Sequence, residues 1–297
     1  MERPGVKISI VIPTFNRLDS LKVVLRSLLD QTYPAEKYEI LLCDAGSSDG
    51  TREWVEELAS PQIRFLPGAD SGRAGARNRG LNSAQGEVIL FTDADIIADP
   101  RLIESHALRH QRSTTPRAVV GNEVQVKSLT EYEDFRQNPA AHARHKATRK
   151  KLPWHYFLTG NASAPRQTLL EVGGFDQAFQ GYGHEDLELG YRLRKAGLPI
   201  DYAPEAVNYH WHPVPFQEQC SKMYLAGRST VTFYRKHKDV RICLTMGWNP
   251  LALLWHRLIP KNGRIYRFFE GRLESSRFAR ELILQHHYLS GIRSALA

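Results

Sequence analysis

Apolar positions along this 297-residue chain follow two alternating rhythms. Unbroken runs such as Ile8-Ser9-Ile10-Val11-Ile12, Tyr38-Glu39-Ile40-Leu41-Leu42-Cys43 and Val88-Ile89-Leu90-Phe91, the last within a strand expected from Gly86 to Asp95, read as strands covered on both faces. Between them the spacing changes to that of one helix face, as at Leu21, Val24, Leu25, Leu28 and Leu29, and again at Val55 and Leu58. Ile63 to Leu66 adds a short strand and Ala76 to Ala84 a helix. Strand, loop and helix in repetition predict right-handed crossovers and an α/β fold with a mostly parallel sheet. The loops at the carboxyl ends of such strands form the ligand crevice. Residues 13–17, 44–49, 68–79 and 93–95 are therefore expected to open onto one place.

The second half is less regular. Arg117 to Val126 reads as a strand, Leu129 to Arg136 as a short helix, and Leu158 to Asn161 as a further strand. From His184 a helix carries Leu189, Leu193 and Ala196 at core spacing and stops at Gly197. Pro199 to Tyr209 reads as a strand closing in His210-Trp211-His212. After Phe216 the strands stop, and Gln217 to Lys236, Asn249 to Leu258 and Arg272 to Leu289 read as helices rich in basic and aromatic residues. The expected division is a domain over 1–215, with halves 1–110 and 111–215, and a helical extension over 216–297.

Hydrophobic content of 42% is ample for a core, and the net charge is +8 with a pI near 9.4. That charge suits a phosphorylated or polyanionic partner or an anionic membrane surface. Nucleic acid is not expected, because the basic residues are dispersed and no recognition motif accompanies them. The densest basic run, residues 142–151, reads as a solvated loop, or as a mobile one that closes over a diphosphate or touches anionic lipid. Cys43, Cys220 and Cys243 have neither disulfide nor metal-ligand spacing. A strand from Lys7 leaves no room for a signal peptide, and no apolar run approaches the roughly 18 residues of a membrane span. A cytoplasmic protein is expected, with peripheral contact at the inner face of the membrane as the further location its charge allows, and Asn161-Ala162-Ser163 is read as a chance sequon.

Three stretches carry chemistry. In an extended chain Asp93 and Asp95 would point the same way, and two carboxylates so placed suit a hard divalent cation that also takes diphosphate oxygens. Acids before Asp99-Pro100 would equally suit a helix cap. Neither G-x-G-x-x-G nor a P-loop follows the first strand, so a nucleotide would instead be held by Asp44 at the base, Arg17 or Arg77 near phosphates, and Asp95 through a metal. Asp44 and Asp49 also read as turn formers, and Arg77 as part of a solvated helix face. Glu185 and Asp186 stand about 100° apart at a helix start, where acids favour the macrodipole or where one serves as a general base. Spacing does not choose between them. His210 and His212 share a strand face and either imidazole would complete the metal's coordination; Trp211 points the other way, into the core. Trp154, Tyr156 and Tyr182 suit stacking on a sugar ring or packing in a core.

The sequences Ile10-Val11-Ile12-Pro13-Thr14-Phe15-Asn16-Arg17, Asp44-Ala45-Gly46-Ser47-Ser48-Asp49-Gly50-Thr51, Ala76-Arg77-Asn78-Arg79-Gly80 and Thr92-Asp93-Ala94-Asp95 resemble, in order and spacing, the signatures of family 2 glycosyltransferases of the GT-A fold. Ala45 departs from the Asp or Asn more common there. Gly173-Gly174-Phe175-Asp176 with Gly183-His184-Glu185-Asp186-Leu187 resembles the acceptor-side motif of the same enzymes and of a galactosyltransferase-type module.

The resemblance implies an inverting, metal-dependent transferase using a nucleotide-sugar, most readily a UDP-sugar, and a carbohydrate or glycolipid acceptor. Asp186 would be the base and Glu185 would help hold the acceptor. Donor contacts would come from Pro13, Thr14, Asn16, Arg17, Asp44, Ser47, Asp49, Arg77, Asp93, Ala94 and Asp95. Mn²⁺ or Mg²⁺ would sit on Asp95 and Asp93 with His212 or His210, and the acceptor near Trp154, Gly160, Asn161, Tyr182, Gly183 and His184. A sugar-phosphate nucleotidyltransferase, or a binding protein that has kept the fold without turnover, are the rival readings.

Overall fold

The computed structural model describes residues 5–69, 72–137, 151–179, 182–212, 214–261 and 263–297. Two compact units divide the chain, Met1–Gln177 with Glu185–Pro213, and Ala178–His184 with Val214–Ala297.

In the first unit the β-branched runs form β1 (Ile8–Thr14), β2 (Tyr38–Asp44), β3 (Ile63–Leu66) and β4 (Val88–Phe91). All of β2 and β4 is buried, as strands covered on both faces require. Helices α1 (Leu18–Leu29), α2 (Thr51–Leu58) and α3 (Gly72–Ser83) make the crossovers. Further strands are β5 (Ile96–Ala98), β6 (Ala118–Val126), β7 (Lys151–Leu152), β8 (Ala162–Pro165) and β9 (Ile200–Trp211). With them run α4 (Leu102–Arg112), α5 (Leu129–Gln137), α6 (Arg166–Glu171) and α7 (Glu185–Lys195).

The nine strands order as β3-β2-β1-β4-β8-β6-β9-β5, with β7 on β9. Pairing is parallel from β3 to β4 and between β6 and β9, whereas β8, β5 and β7 pair antiparallel with their neighbours. One face of the sheet buries Ile10, Ile12, Leu42 and Leu90 with Leu21 and Leu25 of α1. The other buries Val11, Leu41 and Phe91 with Leu81, Leu189 and Leu193.

Two expected strands end differently. The strand expected to run on to Asp95 stops at Phe91, and the Ile96 amide donates to the Asp93 carbonyl, closing a turn. The chain then pairs in the opposite sense, Ile96 against His210. Asp93 and Asp95 are therefore side chains of a turn, and strand alternation does not set their directions. Leu158 to Asn161 is likewise a turn, closed by the Asn161 amide on the Leu158 carbonyl, and the strand begins at Ala162.

The second unit is helical: α8 (Phe216–His237), α9 (Val240–Thr245), α10 (Pro250–Leu258), α11 (Arg264–Glu270) and α12 (Arg277–Leu296). The long pair α8 and α12 approach closely at Gly227 and Gly291. A methyl group on Gly227 would overlap the Tyr288 carbonyl, and one on Gly291 the Tyr224 carbonyl. Mid-helix glycine costs roughly 1 kcal/mol against alanine, and here it lets two backbones touch. Among the described residues no helix is long and apolar enough to cross a membrane. The run 142–151 lies outside the described residues except for Lys151, the first residue of β7.

Candidate active site

The register places the polar loops on one edge of the sheet, because Thr14 of β1 pairs with Asp44 of β2 and Val11 pairs with Phe91 of β4. The β1–α1 and β2–α2 loops are stitched together there. Asn16, at φ 50, donates its amide to Ser47 Oγ (2.9 Å) and accepts at Oδ1 from the Ser48 amide (2.8 Å). Asn tolerates that left-handed conformation better than most residues. Asp49 accepts from the Leu18 amide (2.9 Å) at the start of α1 and from the Thr51 hydroxyl (2.6 Å) at the start of α2. Burial works against its charge, yet these bonds hold Asp49 below the usual carboxylate range.

Asp44 is 5% exposed and accepts from the amides of Gly46 and Ser47, both at 3.0 Å, while the Ser47 hydroxyl donates to its other oxygen. Asn16, Ser47 and Asp49, expected on the donor, thus spend these polar atoms on building the loops. Asp44 holds its own turn, and any base it reads shares its lone pairs. Pro13 and Thr14 close β1, with Thr14 buried, and Ala94 is buried in the D-x-D turn.

Arg77 corrects a larger expectation. It is not on a solvated face, being 2% exposed inside α3. Its Nη2 donates to Asp93 Oδ1 at 2.7 Å and its Nη1 to Glu185 Oε1 at 2.9 Å, with Phe175 5.6 Å below the guanidinium. A buried cation needs such partners, and here they join the D-x-D turn to the first turn of α7. Burial opposes the charge of Glu185, but Arg77 and Arg73 outweigh it and hold that carboxyl below its ordinary value. Glu185 is therefore committed to Arg77. Asp186, partly exposed beside it, is pushed the other way, up to about 7, by burial and by the Glu185 charge. The helix start holds one carboxylate kept ionised and one that titrates near neutrality.

Asp95 turns away from this group. Its Oδ1 lies 3.7 Å from His210 Nε2 and its Oδ2 4.0 Å from His212 Nδ1, and the two imidazoles stack with centroids 6.4 Å apart. Burial would raise the Asp95 pKa, but His210, His212 and Arg17 lower it. His210 is lifted to about 10 by Asp95 and Glu123 against the pull of burial. Its Nδ1 faces Glu123 (3.4 Å) and Gln125 (3.0 Å), so both ring nitrogens have protein partners. His212 stands just past β9 with Nδ1 3.3 Å from the exposed Arg17.

Among the described residues no three acids, histidines or cysteines form a metal-holding group. Two ligands at about 2.1 Å from one cation lie at most about 4.2 Å apart, so Asp95 and His212 at 4.0 Å are near enough to share one, provided that Arg17 gives up His212 Nδ1. Asp93, held by Arg77, fits less well as a direct ligand. Trp211 is only partly buried, packed beside Tyr209 and Val126.

The expected acceptor residues separate. Trp154 sets its edge against Tyr191 of α7 (5.6 Å), and Gly160 lies where a methyl group would strike Glu123. Asn161, expected at the acceptor, is 3% exposed and spends its side chain on His106 Nε2 (2.8 Å) and the Ala206 carbonyl (2.9 Å). Ser163 links His106 to His110, and burial lowers their pKa values to about 4 and about 3, keeping both neutral. Tyr182, Gly183 and His184 belong to the helical unit. Gly183 turns at φ 99 against Ala226, His184 Nε2 lies 2.8 Å from Thr230 Oγ1, and Tyr182 lies under the Lys222 ammonium.

One residue of this site, Glu123, and one role, that of Arg77, escaped the sequence reading. Glu123 emerges from β6 beside His210, and its only signal was a carboxylate in the polar second half of that strand. The bridging role of Arg77 had none, since its partners lie 16 and 108 residues away.

A mostly parallel sheet whose polar loops gather at one edge is the GT-A type of fold. The sequence model for glycosyl transferase family 2 matches residues 9–174, more than half of the chain, and the protein belongs to that family. A second model, described as the N-terminal domain of galactosyltransferase, matches residues 140–213. The validoxylamine A glucosyltransferase of Streptomyces hygroscopicus subsp. jinggangensis is 31% identical over 227 residues, 67% of this chain and 54% of that protein. The chondroitin synthase of Escherichia coli is 26% identical over 280 residues, 78% of this chain and 40% of that protein. The chain thus spans about half the length of the curated relatives it matches. The fold is shared with a mannosyltransferase from Pyrobaculum calidifontis solved with GDP-Man and Mn²⁺, at TM-score 0.66 and 18% identity over 99% of this chain and 91% of that one. It is shared too with S. aureus TarS 1-349 solved with UDP-GlcNAc, at TM-score 0.56 and 14% identity over 97% and 91%.

Proposed function

We propose that this chain transfers a sugar, with inversion, from a nucleotide-sugar, most readily a UDP-sugar, to a hydroxyl of a glycan, glycolipid or small-molecule acceptor. The observation that carries this is the buried Arg77 bridge, which ties the D-x-D turn to the helix start bearing Asp186. Family membership supports the reaction class, and it makes the nucleotidyltransferase alternative the weaker one.

Asp186 takes the acceptor hydroxyl proton as the oxygen bonds the anomeric carbon and the bond from that carbon to the nucleoside diphosphate breaks. A base whose pKa lies near neutrality is ionised in a large fraction of molecules at neutral pH and still binds a proton well. Asp95 and His212 would hold Mn²⁺ or Mg²⁺, which when bound supplies positive charge to the leaving diphosphate. Arg77 holds Glu185 ionised and keeps both Glu185 and Asp93 in place, so that the Glu185 charge keeps the Asp186 proton affinity high.

The test is transfer and hydrolysis with UDP-, GDP- and dTDP-sugars, with Mn²⁺ or EDTA, and the anomeric configuration of the product read by NMR. Asp186→Asn is expected to lose ~10²–10⁴ in rate while still binding nucleotide. Asp95→Ala is expected to lose the metal response. A wild-type chain that binds no nucleotide, or whose turnover ignores EDTA, overturns the donor and metal assignments respectively. Nucleotide binding with no turnover on any acceptor moves the non-catalytic reading ahead.

A further inference from the structure

From residue 214 onward the chain carries fourteen Lys and Arg against five Asp and Glu, leaving twenty-six against twenty-seven in residues 1–213. The whole excess of positive charge therefore lies in the helical unit. Exposed apolar residues collect there as well. On α10, Leu251, Leu254 and Leu258 are 73, 54 and 63% exposed and fall within one face, while Ala252 and Leu253 on the opposite face enter the unit's core. Val240 and Leu244 of α9 repeat the arrangement one turn apart, with Ile242 buried behind them, and Ile265 and Phe268 of α11 expose a third pair over the buried Tyr266. Exposed cations interleave with these residues: Arg257, Lys261, Arg264, Arg267, Arg272 and Arg277. Solvent-facing leucines at helical spacing cost free energy in water, and like charges so close along the chain repel one another.

We infer that the exposed face of α9, α10 and α11 docks on an anionic phospholipid surface. A bilayer interface matches both halves of the pattern, the acyl boundary taking the leucines and phenylalanines and the headgroups the cations. A purely polyanionic partner matches the cations alone. The inference is independent of the transferase reading: the docking face lies within the helical unit, and none of the donor or base residues belongs to it.

The experiment is co-sedimentation of the full chain with phosphatidylcholine vesicles, with and without phosphatidylglycerol, in about 0.1 M and about 1 M salt, where the Debye length falls from about 10 to about 3 Å. Wild type is expected to sediment with the anionic vesicles and to be released by salt. The triple variant Leu251→Ser, Leu254→Ser, Leu258→Ser is expected to bind at least roughly tenfold more weakly. Lys261→Gln with Arg264→Gln is expected to lose about as much. Melting curves and nucleotide titration of each variant confirm that the fold and the donor site are unaffected. Equal binding to neutral vesicles, no sedimentation, or wild-type binding by the leucine variant overturns the inference. So does a wild-type dimer that the leucine variant converts to monomer, because the face would then be covered by a second copy.

Discussion

The two units reach stability by different routes. The first builds its core from strands so completely covered that every residue of β2 and β4 is buried, and it carries nearly balanced charge. The second has smaller apolar clusters, brings α8 and α12 together at Gly227 and Gly291, and holds all of the net positive charge. Of the exposed large hydrophobic residues among those described, only Phe15, Tyr156 and Leu158 lie in the first unit and ten lie in the second. A sheet covered on both faces leaves little apolar surface outside, whereas the shorter helices of the second unit each keep an exposed face.

The largest expected effect that sharpens this contrast is at Arg77. Arg77→Met leaves Glu185 and Asp93 without their buried cation and is expected to cost ~3–5 kcal/mol, read by urea unfolding and by faster hydrogen exchange at β4 and α7. Gly227→Ala improves helix propensity yet forces a methyl group against the Tyr288 carbonyl, so a loss of ~1–3 kcal/mol is expected, seen as exchange at α8 and α12. A stabilised Gly227→Ala would show that the helices move apart freely and would break the comparison.

A smaller effect separates function from stability at Asp186. Its folded pKa is raised above the unfolded value of about 3.9, so the stability linked to its proton is fully present below about pH 4 and is lost as pH rises through about 7. Asp186→Asn cannot ionise. Its melting temperature is expected to match wild type near pH 4 and to exceed it above about pH 7, while its activity is lost. Smallest of all, Leu251→Ser is expected to stay within about 0.5 kcal/mol of wild type, since that side chain is already 73% exposed.

The strand and helix alternation of the first 110 residues was legible because buried parallel strands write themselves as continuous β-branched runs. The loops that carry Asp44, Asp95 and Asp186 followed from motif resemblance and from the rule that ligands gather at carboxyl ends of strands. What escaped was set by contacts distant in sequence. Arg77 reads like any helical arginine, and only the fold brings Asp93 and Glu185 to it. Asn161 reads as a strand residue at the acceptor until the fold surrounds it with His106 of α4 and the Ala206 carbonyl of β9. The break at Phe91 escaped because the apolar pattern resumes at Ile96, and a turn joining strands of opposite sense leaves hydrophobicity unchanged.

The stitching between the first two loops bears on the thermodynamics of ligand capture. Asn16, Ser47, Ser48 and Asp49 cross-link the loops after β1 and β2 before any ligand arrives. Ordering a rotamer-rich side chain on binding costs about 0.5–1.5 kcal/mol, and here that entropy is surrendered during folding instead. The rim behaves as one stiff plate, so a nucleotide that touches either loop meets the resistance of both.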